Sequence, residues 1–348
     1  MKKIYGLLSL LAVLILCSSC NDEWKDEQFE HFVSFVATIG NDDGGVSPIY
    51  VRYKANEKVT YQLPVIVSGS TTNDKDIAVH VGVDPDTLDI LNYDRFQNRT
   101  DFYYEELASN HYSFPEVVNI PAGKDKGLLE ISFTLAGVDL VKPQVLPLTI
   151  LEDPSYGYEA HPRKWYKKAL LRVNPFNDYS GTYGATTLKT YIVTKLDPPK
   201  PDPDNAGQYI YEELSSAIVR QNTTLYVSDE NQVFLYAGMV DENFADRDKY
   251  KVFIDFDKET GFASFSSNNP DMEFVDLGFD PYYYILERMD ATRPYLLHRY
   301  LTITNIGYEF VDYTTVPGEK IIYRVEGLIT MERQINTQIP DEDQAIEW

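Results

Sequence analysis

The stretch Phe253-Ile-Asp-Phe-Asp-Lys-Glu259 sets Asp255, Asp257 and Glu259 at alternate positions. In an extended strand, alternation turns all three carboxylates to one face. Carboxylates flanking a glycosidic bond are the groups that sugar hydrolysis uses as acid, base or nucleophile. A second cluster offers recognition instead of bond breaking. Asp280-Pro-Tyr-Tyr-Tyr284 and Met289-Asp-Ala-Thr-Arg-Pro-Tyr295 gather Tyr282, Tyr283, Tyr284, Asp290 and Arg293 within a short span between strands. An aromatic ring gives the C–H face of a pyranose a flat apolar surface, and carboxylate and guanidinium groups suit its hydroxyls. If the tyrosines lie on a strand, at most two of the three share a site. Trp165, within His161-Pro-Arg-Lys-Trp-Tyr-Lys-Lys168, adds a platform in a locally basic patch near the expected domain junction. The same rings would also serve as barrel, rim and inter-domain packing.

The carboxylate stretch resembles part of the catalytic strand of chitinase-like glycosidases. That pattern needs a further aspartate three residues before Asp255, where this chain has Val252. It also needs a barrel of alternating strands and helices, and helical periodicity is scarce here. The plainer reading is a strand running into a Lys258-Glu-Thr-Gly261 turn and a return strand over 262–266. Asn41-Asp42-Asp43 and Asp84-Pro-Asp86 supply oxygens for calcium without the spacing of a twelve-residue binding loop, and read as turns. The histidines His31, His80, His111, His161 and His298 are scattered and form no metal-binding pair. Nucleophile-elbow, dinucleotide and phosphate-loop motifs do not occur. Both cysteines, Cys17 and Cys20, fall in the first twenty residues, leaving the remaining chain without a disulfide, a thiolate metal site or a cysteine nucleophile. These observations predict a binding protein that is not an enzyme, with no metal and no cofactor. Asp86-Thr87-Leu88 matches the short pattern for O-glycosylation in Bacteroides-type exported proteins.

The elements that must position these residues are strands. Period-two alternation predicts strands over 33–39, 49–54, 59–68, 77–84, 117–120, 128–135, 145–151 and 169–173, with one short helix over 85–92 that turns Leu88 and Leu91 inward. Eight short strands at this spacing imply an immunoglobulin-like β-sandwich. The Pro, Asn, Asp and Gly of Pro175-Phe-Asn-Asp-Tyr-Ser-Gly-Thr-Tyr183 mark a second start. Strands are then expected over 187–194, 217–226, 232–237, 250–257, 263–267, 298–306, 309–313 and 321–332, an antiparallel set that closes into a barrel and removes its exposed edges. Asp197-Pro-Pro-Lys-Pro-Asp-Pro-Asp204 is expected to be an extended surface loop. The fold class is all-β: a sandwich over 31–174 and an antiparallel, lipocalin- or calycin-like β-barrel over 175–348.

A resemblance supports that division. Tyr61-Gln-Leu-Pro-Val-Ile-Val-Ser-Gly69, Val79-His-Val-Gly-Val-Asp84, Ile90-Leu-Asn-Tyr93, Tyr112-Ser-Phe114, Ile120-Pro-Ala-Gly123 and Val145-Leu-Pro-Leu-Thr-Ile150 recur in order. Together they resemble the N-terminal domain of unknown function in Bacteroides-type surface lipoproteins of glycan-utilisation loci, a domain shared with some endo-glycosidases of N-glycans. The Asp178-Tyr-Ser-Gly-Thr-Tyr183 opening resembles the C-terminal domain that often partners it. The resemblance implies a protein that captures oligosaccharide for import beside an outer-membrane transporter and its partner lipoprotein.

The N-terminus carries the matching address. Lys2 and Lys3 precede an apolar run over 4–16 that is too short for a permanent membrane span. Leu16-Cys-Ser-Ser-Cys20 is close to a lipobox, which makes 1–19 a lipoprotein signal and Cys20 the lipidated residue. Residues 20–30 form an acidic tether whose Asp22, Glu23, Asp26 and Glu27 resemble the export signal to the outer face of the outer membrane. Acyl chains contribute roughly 0.8 kcal/mol of anchoring per buried methylene. The 348 residues carry a net charge of -23 and are 43% hydrophobic, which suits two packed domains and makes nucleic acid a poor partner. The 27 tyrosines suit both half-buried strands and sugar stacking. The expected function is therefore that of a non-catalytic, surface-exposed glycan-binding lipoprotein. The alternatives are an accessory subunit of the transporter complex without a sugar site, and an atypical glycosidase.

Overall fold

The computed structural model describes residues 29–37, 45–138, 142–203, 209–213 and 215–339; the side chains of 164–165, 195–199, 209, 211 and 213 are outside that description. The signal over 1–19, Cys20, the tether's Asp22, Glu23, Asp26 and Glu27, and Asn41-Asp42-Asp43 lie outside the described residues. Two sheets face each other in the first half. Strands Glu159–Ala160, Phe32–Phe35, Val59–Val67, Lys126–Phe133 and Tyr112–Ser113 form one, in that order. Ser47–Arg52, Lys168–Phe176, Gln144–Ile150, Ile77–Val83 and Val117–Ile120 form the other, with Glu105–Glu106 beside Gln144–Ile150. Alternation in the sequence becomes alternation in burial: Ile49 and Val51 point inward from Ser47–Arg52, against Leu63, Val65, Leu129, Ile131 and Leu171. This is a β-sandwich core. The helix Pro85–Phe96 has proline in its first turn and packs Leu88 against Val46, Tyr104, Val145 and Leu170.

The second half is an antiparallel sheet that curls until it meets itself. Ile321–Asn336, Gly181–Gly184, Asn222–Asp229, Gln232–Tyr236, Lys251–Phe256 and Ala263–Ser266 follow in order, while Leu296–Asp312 pairs with the other side of Ile321–Asn336 and Tyr282–Met289 pairs with Leu296–Asp312. The ring closes at an isolated bridge between Phe262 and Tyr282. There the Tyr283 N–H donates to Gly261 O and the Ala263 N–H to Pro281 O, both at 2.9 Å. Closure satisfies edges that would otherwise be exposed. The interior is filled by Tyr183, Tyr250, Tyr308, Phe310, Ile303 and Ile329. A cavity of about 10 Å³ beside Tyr308 and Arg220 has room for about one water. Large side chains thus fill the barrel interior among the described residues.

Two segments depart from expectation. The proline run was expected to be a loop, but Lys189–Pro201 continues as a strand beside Tyr209–Glu213. The ladder loses register between Lys195 and Lys200, so Pro198 and Pro199 fall where no regular donor is required. Residues 282–289 were expected between strands and instead form one. In Leu296–Asp312, Asn305 adopts φ 58° at a bulge where Ile303 opposes Ile329 and Ile306 opposes Gly327. The extra residue bends this 17-residue strand from an outer ribbon into the barrel wall.

The joint between the halves is braced, not loose. Asn177 accepts from the Tyr179 and Ser180 N–H groups and donates from Nδ2 to Asp229 O and Gln232 O. Arg333, only 7% exposed, donates to Asn177 O at 3.0 Å and to Ser180 O at 2.5 Å. Arg52 of the sandwich pairs with Asp178 at 2.8 Å, and Arg299 of the barrel approaches the same oxygen at 3.7 Å. Val227, from the second half, is buried in the first half's core.

Candidate functional site

Strand Tyr282–Met289 has the ladder on one side only beyond its first residues, and register shows which side chains share each face. Tyr282 lies opposite Thr304, Tyr284 opposite Thr302, Leu286 opposite Tyr300 and Arg288 opposite His298. One strand further, Thr302 faces Thr330, Tyr300 faces Glu332 and His298 faces Gln334. Directly opposed residues point the same way, so these side chains form one continuous outer face. Tyr282, Tyr284 and Leu286 are 43%, 51% and 60% exposed. The two tyrosine rings lie 6.4 Å apart, tilted by 35°. Behind them the Thr302 and Thr330 hydroxyls bond at 3.0 Å.

Tyr283 does not belong to this face. Its ring meets Tyr179 and Phe256 edge-on at 5.5 and 5.0 Å, and its hydroxyl lies 3.4 Å from that of Tyr179. Parity on the strand turns it inward, so it is a packing residue and not a ligand platform. Asp290 and Arg293 organise the turn after the strand. The Asp290 carboxylate accepts from the Thr292 and Arg293 N–H groups at 2.8 Å and from the Thr292 hydroxyl at 2.7 Å, and pairs with Arg293 at 3.2 Å. These donors, the Thr292 hydroxyl first and His298 among them, hold the Asp290 carboxyl far below the usual range.

The far end of the face carries a histidine that sequence spacing did not single out. His298 Nδ1 lies 2.5 Å from Glu332 and Nε2 lies 3.1 Å from Asp290. Hydrogen bonds to Glu332 first, then to Asp290, raise its pKa above the ordinary 6.5. Its ring lies near-parallel to Tyr300, centroids 6.4 Å apart. Tyr300, His298 and Glu332 were missed because only the pairing of distant strands brings them beside the tyrosines.

Trp165 lies elsewhere. Its backbone is in the short helix Lys164–Lys167, before the start of Lys168–Phe176, and its side chain is outside the described residues. The strand's nine residues carry the chain about 26 Å toward the junction at Phe176. Nearness in sequence to the boundary is therefore not nearness in space, and the placement of Trp165 at the junction is corrected.

The alternating carboxylates have structural partners. Asp255 accepts from Gln232 Nε2 at 2.7 Å across the ladder. Asp257 caps the turn, accepting from the Thr260 hydroxyl at 2.7 Å and the Glu259 N–H at 2.8 Å, and these bonds lower its pKa. Asp84 is held by Lys168 and the Thr87 hydroxyl, and Thr87 is buried with Lys168 Nζ 2.6 Å away. The Thr87 hydroxyl is thereby closed to a glycosyl group in the folded chain. Among the described residues, no cluster of three or more His, Cys, Asp or Glu is placed to hold a metal ion, and no helix is long and apolar enough to cross a membrane.

Comparison with known proteins fits this two-part architecture. A model of the domain of unknown function DUF4973 matches residues 24–154, and a model of a C-terminal domain matches residues 167–330. A Bacteroides ovatus protein of unknown function is 44% identical with a TM-score of 0.76, the match covering 91% of this chain and 100% of the other. A multidomain Bacteroides ovatus protein including DUF1735 is 43% identical with a TM-score of 0.75, with the same coverage. An auxiliary nutrient binding protein from Bacteroides thetaiotaomicron is 42% identical with a TM-score of 0.76, covering 92% of this chain and all of the other. No curated protein matches the chain.

Proposed function

As the chain belongs to the family of Bacteroides proteins that it matches over nine-tenths of its length at 42–44% identity, we propose that it is a non-catalytic accessory of nutrient uptake that binds oligosaccharide on its outer tyrosine face. The observation carrying this reading is the exposed pair Tyr282 and Tyr284 on one side of a strand, with Tyr300, His298, Glu332 and Arg288 continuing the surface. Each tyrosine ring takes the apolar face of a pyranose, and the polar groups beyond take hydroxyls. The filled barrel makes this an open platform, suited to a chain of sugars and not to an enclosed monomer. The name of the 42%-identical relative, an auxiliary nutrient binding protein, supports the role. Lipidation at Cys20 places the protein on the outer membrane, facing outward beside a transporter and its partner lipoprotein.

A second reading has its own observation. Leu286, Ile285 and Met289 expose apolar surface on both faces of the same strand, which suits docking of a partner protein. One experiment separates the two. The protein from Cys20 onward is presented to an array of neutral plant and host glycans, and in parallel used to capture partners from outer membranes. Saturable binding to one glycan class, lost in Tyr284→Ala, supports the platform. No glycan bound, with transporter captured and lost in Leu286→Glu, replaces it with the accessory-subunit reading.

A further inference from the structure

Both ring nitrogens of His298 face carboxylate oxygens. Nδ1 lies 2.5 Å from Glu332 on Ile321–Asn336, and Nε2 lies 3.1 Å from Asp290 in the turn after Tyr282–Met289. An ionised carboxylate only accepts hydrogen bonds, and a neutral imidazole has a single N–H to give. Both contacts are therefore made together only by the doubly protonated ring. As an imidazolium, His298 is a strut that ties the turn to Ile321–Asn336. Arg288 lies opposite it in register on one side and Gln334 on the other. On its own strand stands Tyr300, whose hydroxyl donates to Glu332. Arg293 pairs with the Asp290 oxygen that His298 meets. The two carboxylates are held unequally. Asp290 also accepts from the Thr292 and Arg293 N–H groups and the Thr292 hydroxyl. Glu332 is 41% exposed at its side chain, and among the described residues its partners are His298 and Tyr300. Loss of the proton aims a lone pair at one carboxylate. The turn fixes Asp290, so Glu332 is the one that swings into water.

We infer that His298 is a proton-operated latch on the tyrosine face: protonated, it fixes Glu332 and Tyr300 as the polar end of that face, and deprotonated, it frees them and weakens saccharide binding. The inference rests on the reading of that face as a saccharide platform. A carboxylate already in place accepts a sugar hydroxyl without first being ordered. Ordering one rotamer-rich side chain lowers affinity by about two- to tenfold. Linkage is reciprocal, so bound saccharide holds the proton more tightly by the same factor.

The test pairs calorimetric titration with ring NMR of His298, both between about pH 5 and 9, where histidine changes charge. The probes are maltotetraose, cellotetraose and mannotetraose. Affinity for a probe that binds is expected to fall about two- to tenfold as pH rises through the ring's midpoint, and a saturating probe to raise that midpoint by about 0.3–1 pH unit. Glu332→Gln should lower the midpoint, and both it and His298→Gln should make affinity independent of pH. Affinity unchanged across the midpoint overturns the latch, as does an equal change in His298→Gln. No probe bound at any pH counts against the platform instead, and the Glu332 side chain then decides the latch. Its three-bond couplings should report one rotamer below the midpoint and averaging above it; couplings unchanged across the midpoint overturn the inference.

Discussion

Three consecutive tyrosines illustrate how parity assigns roles to identical side chains. Tyr282 and Tyr284 stand in solvent, while Tyr283 is wedged against Tyr179 and Phe256. Tyr283→Ala is expected to lower stability by about 2–3 kcal/mol, through lost packing around a half-buried ring. Tyr282→Ala and Tyr284→Ala should leave the melting temperature within about a degree or two, since surface changes cost little; denaturant melts of the three variants check the contrast. Sequence spacing limited the shared site to two of the three rings. It did not say which two, because that depends on which face Leu296–Asp312 turns to the core. His298 was illegible for a similar reason, its partners Asp290 and Glu332 lying eight and 34 positions away. Its folded-state pKa is raised, so its stabilising bonds are fully present below pH 6.5 and lost as pH rises through the raised value. The ring's NMR titration should have a midpoint above 6.5, and amide exchange in the 290–295 turn should quicken above that midpoint. A midpoint at or below 6.5 would contradict the arrangement.

Among the elements, strands whose two faces differ were legible and those whose faces match were not. Ser47–Arg52 alternates buried and half-buried residues, as its sequence announces. Tyr282–Met289 is exposed at nearly every position, so Tyr-Tyr-Tyr-Ile-Leu-Glu-Arg-Met offers no period to read. The proline ribbon was missed because its prolines suit a strand only where pairing is already irregular. The bulge in the long strand also left no sequence signal beyond one glycine on its partner. Gly327 has φ 139°, and a Cβ there would stand 2.1 Å from Thr187 O. Gly327→Ala should therefore destabilise the barrel by about 1–3 kcal/mol from backbone strain alone, more once the contact is included. A thermal melt unchanged from the parent would contradict this.

At the scale of the whole molecule, the joint ties the two halves through buried hydrogen bonds and a shared carboxylate. Its sequence reads as punctuation, and nothing local in Pro175 to Tyr183 reveals that Arg333 arrives from more than 150 positions away. Burial brings the Arg333 pKa down to about 10, still charged at neutral pH, and its guanidinium satisfies two buried carbonyls. Arg333→Met should cost about 2–3 kcal/mol by leaving them unpaired. Burial alone would raise the Asp178 carboxyl, but Arg52, Arg299 and Lys258 hold it below the ordinary 3.8. Its contribution is thus present above pH 3.8 and lost as pH falls toward the lowered value. Asp178→Asn should flatten the acid limb of the stability profile, measured by melts across pH 2–5. The most direct measurement is the affinity of the parent protein and of a Tyr282→Ala, Tyr284→Ala double variant for the neutral glycan that the array selects. The platform predicts saturable binding by the parent and at least about a thirtyfold loss in the variant, at about 1–3 kcal/mol per ring. Equal affinity in the two proteins would contradict it.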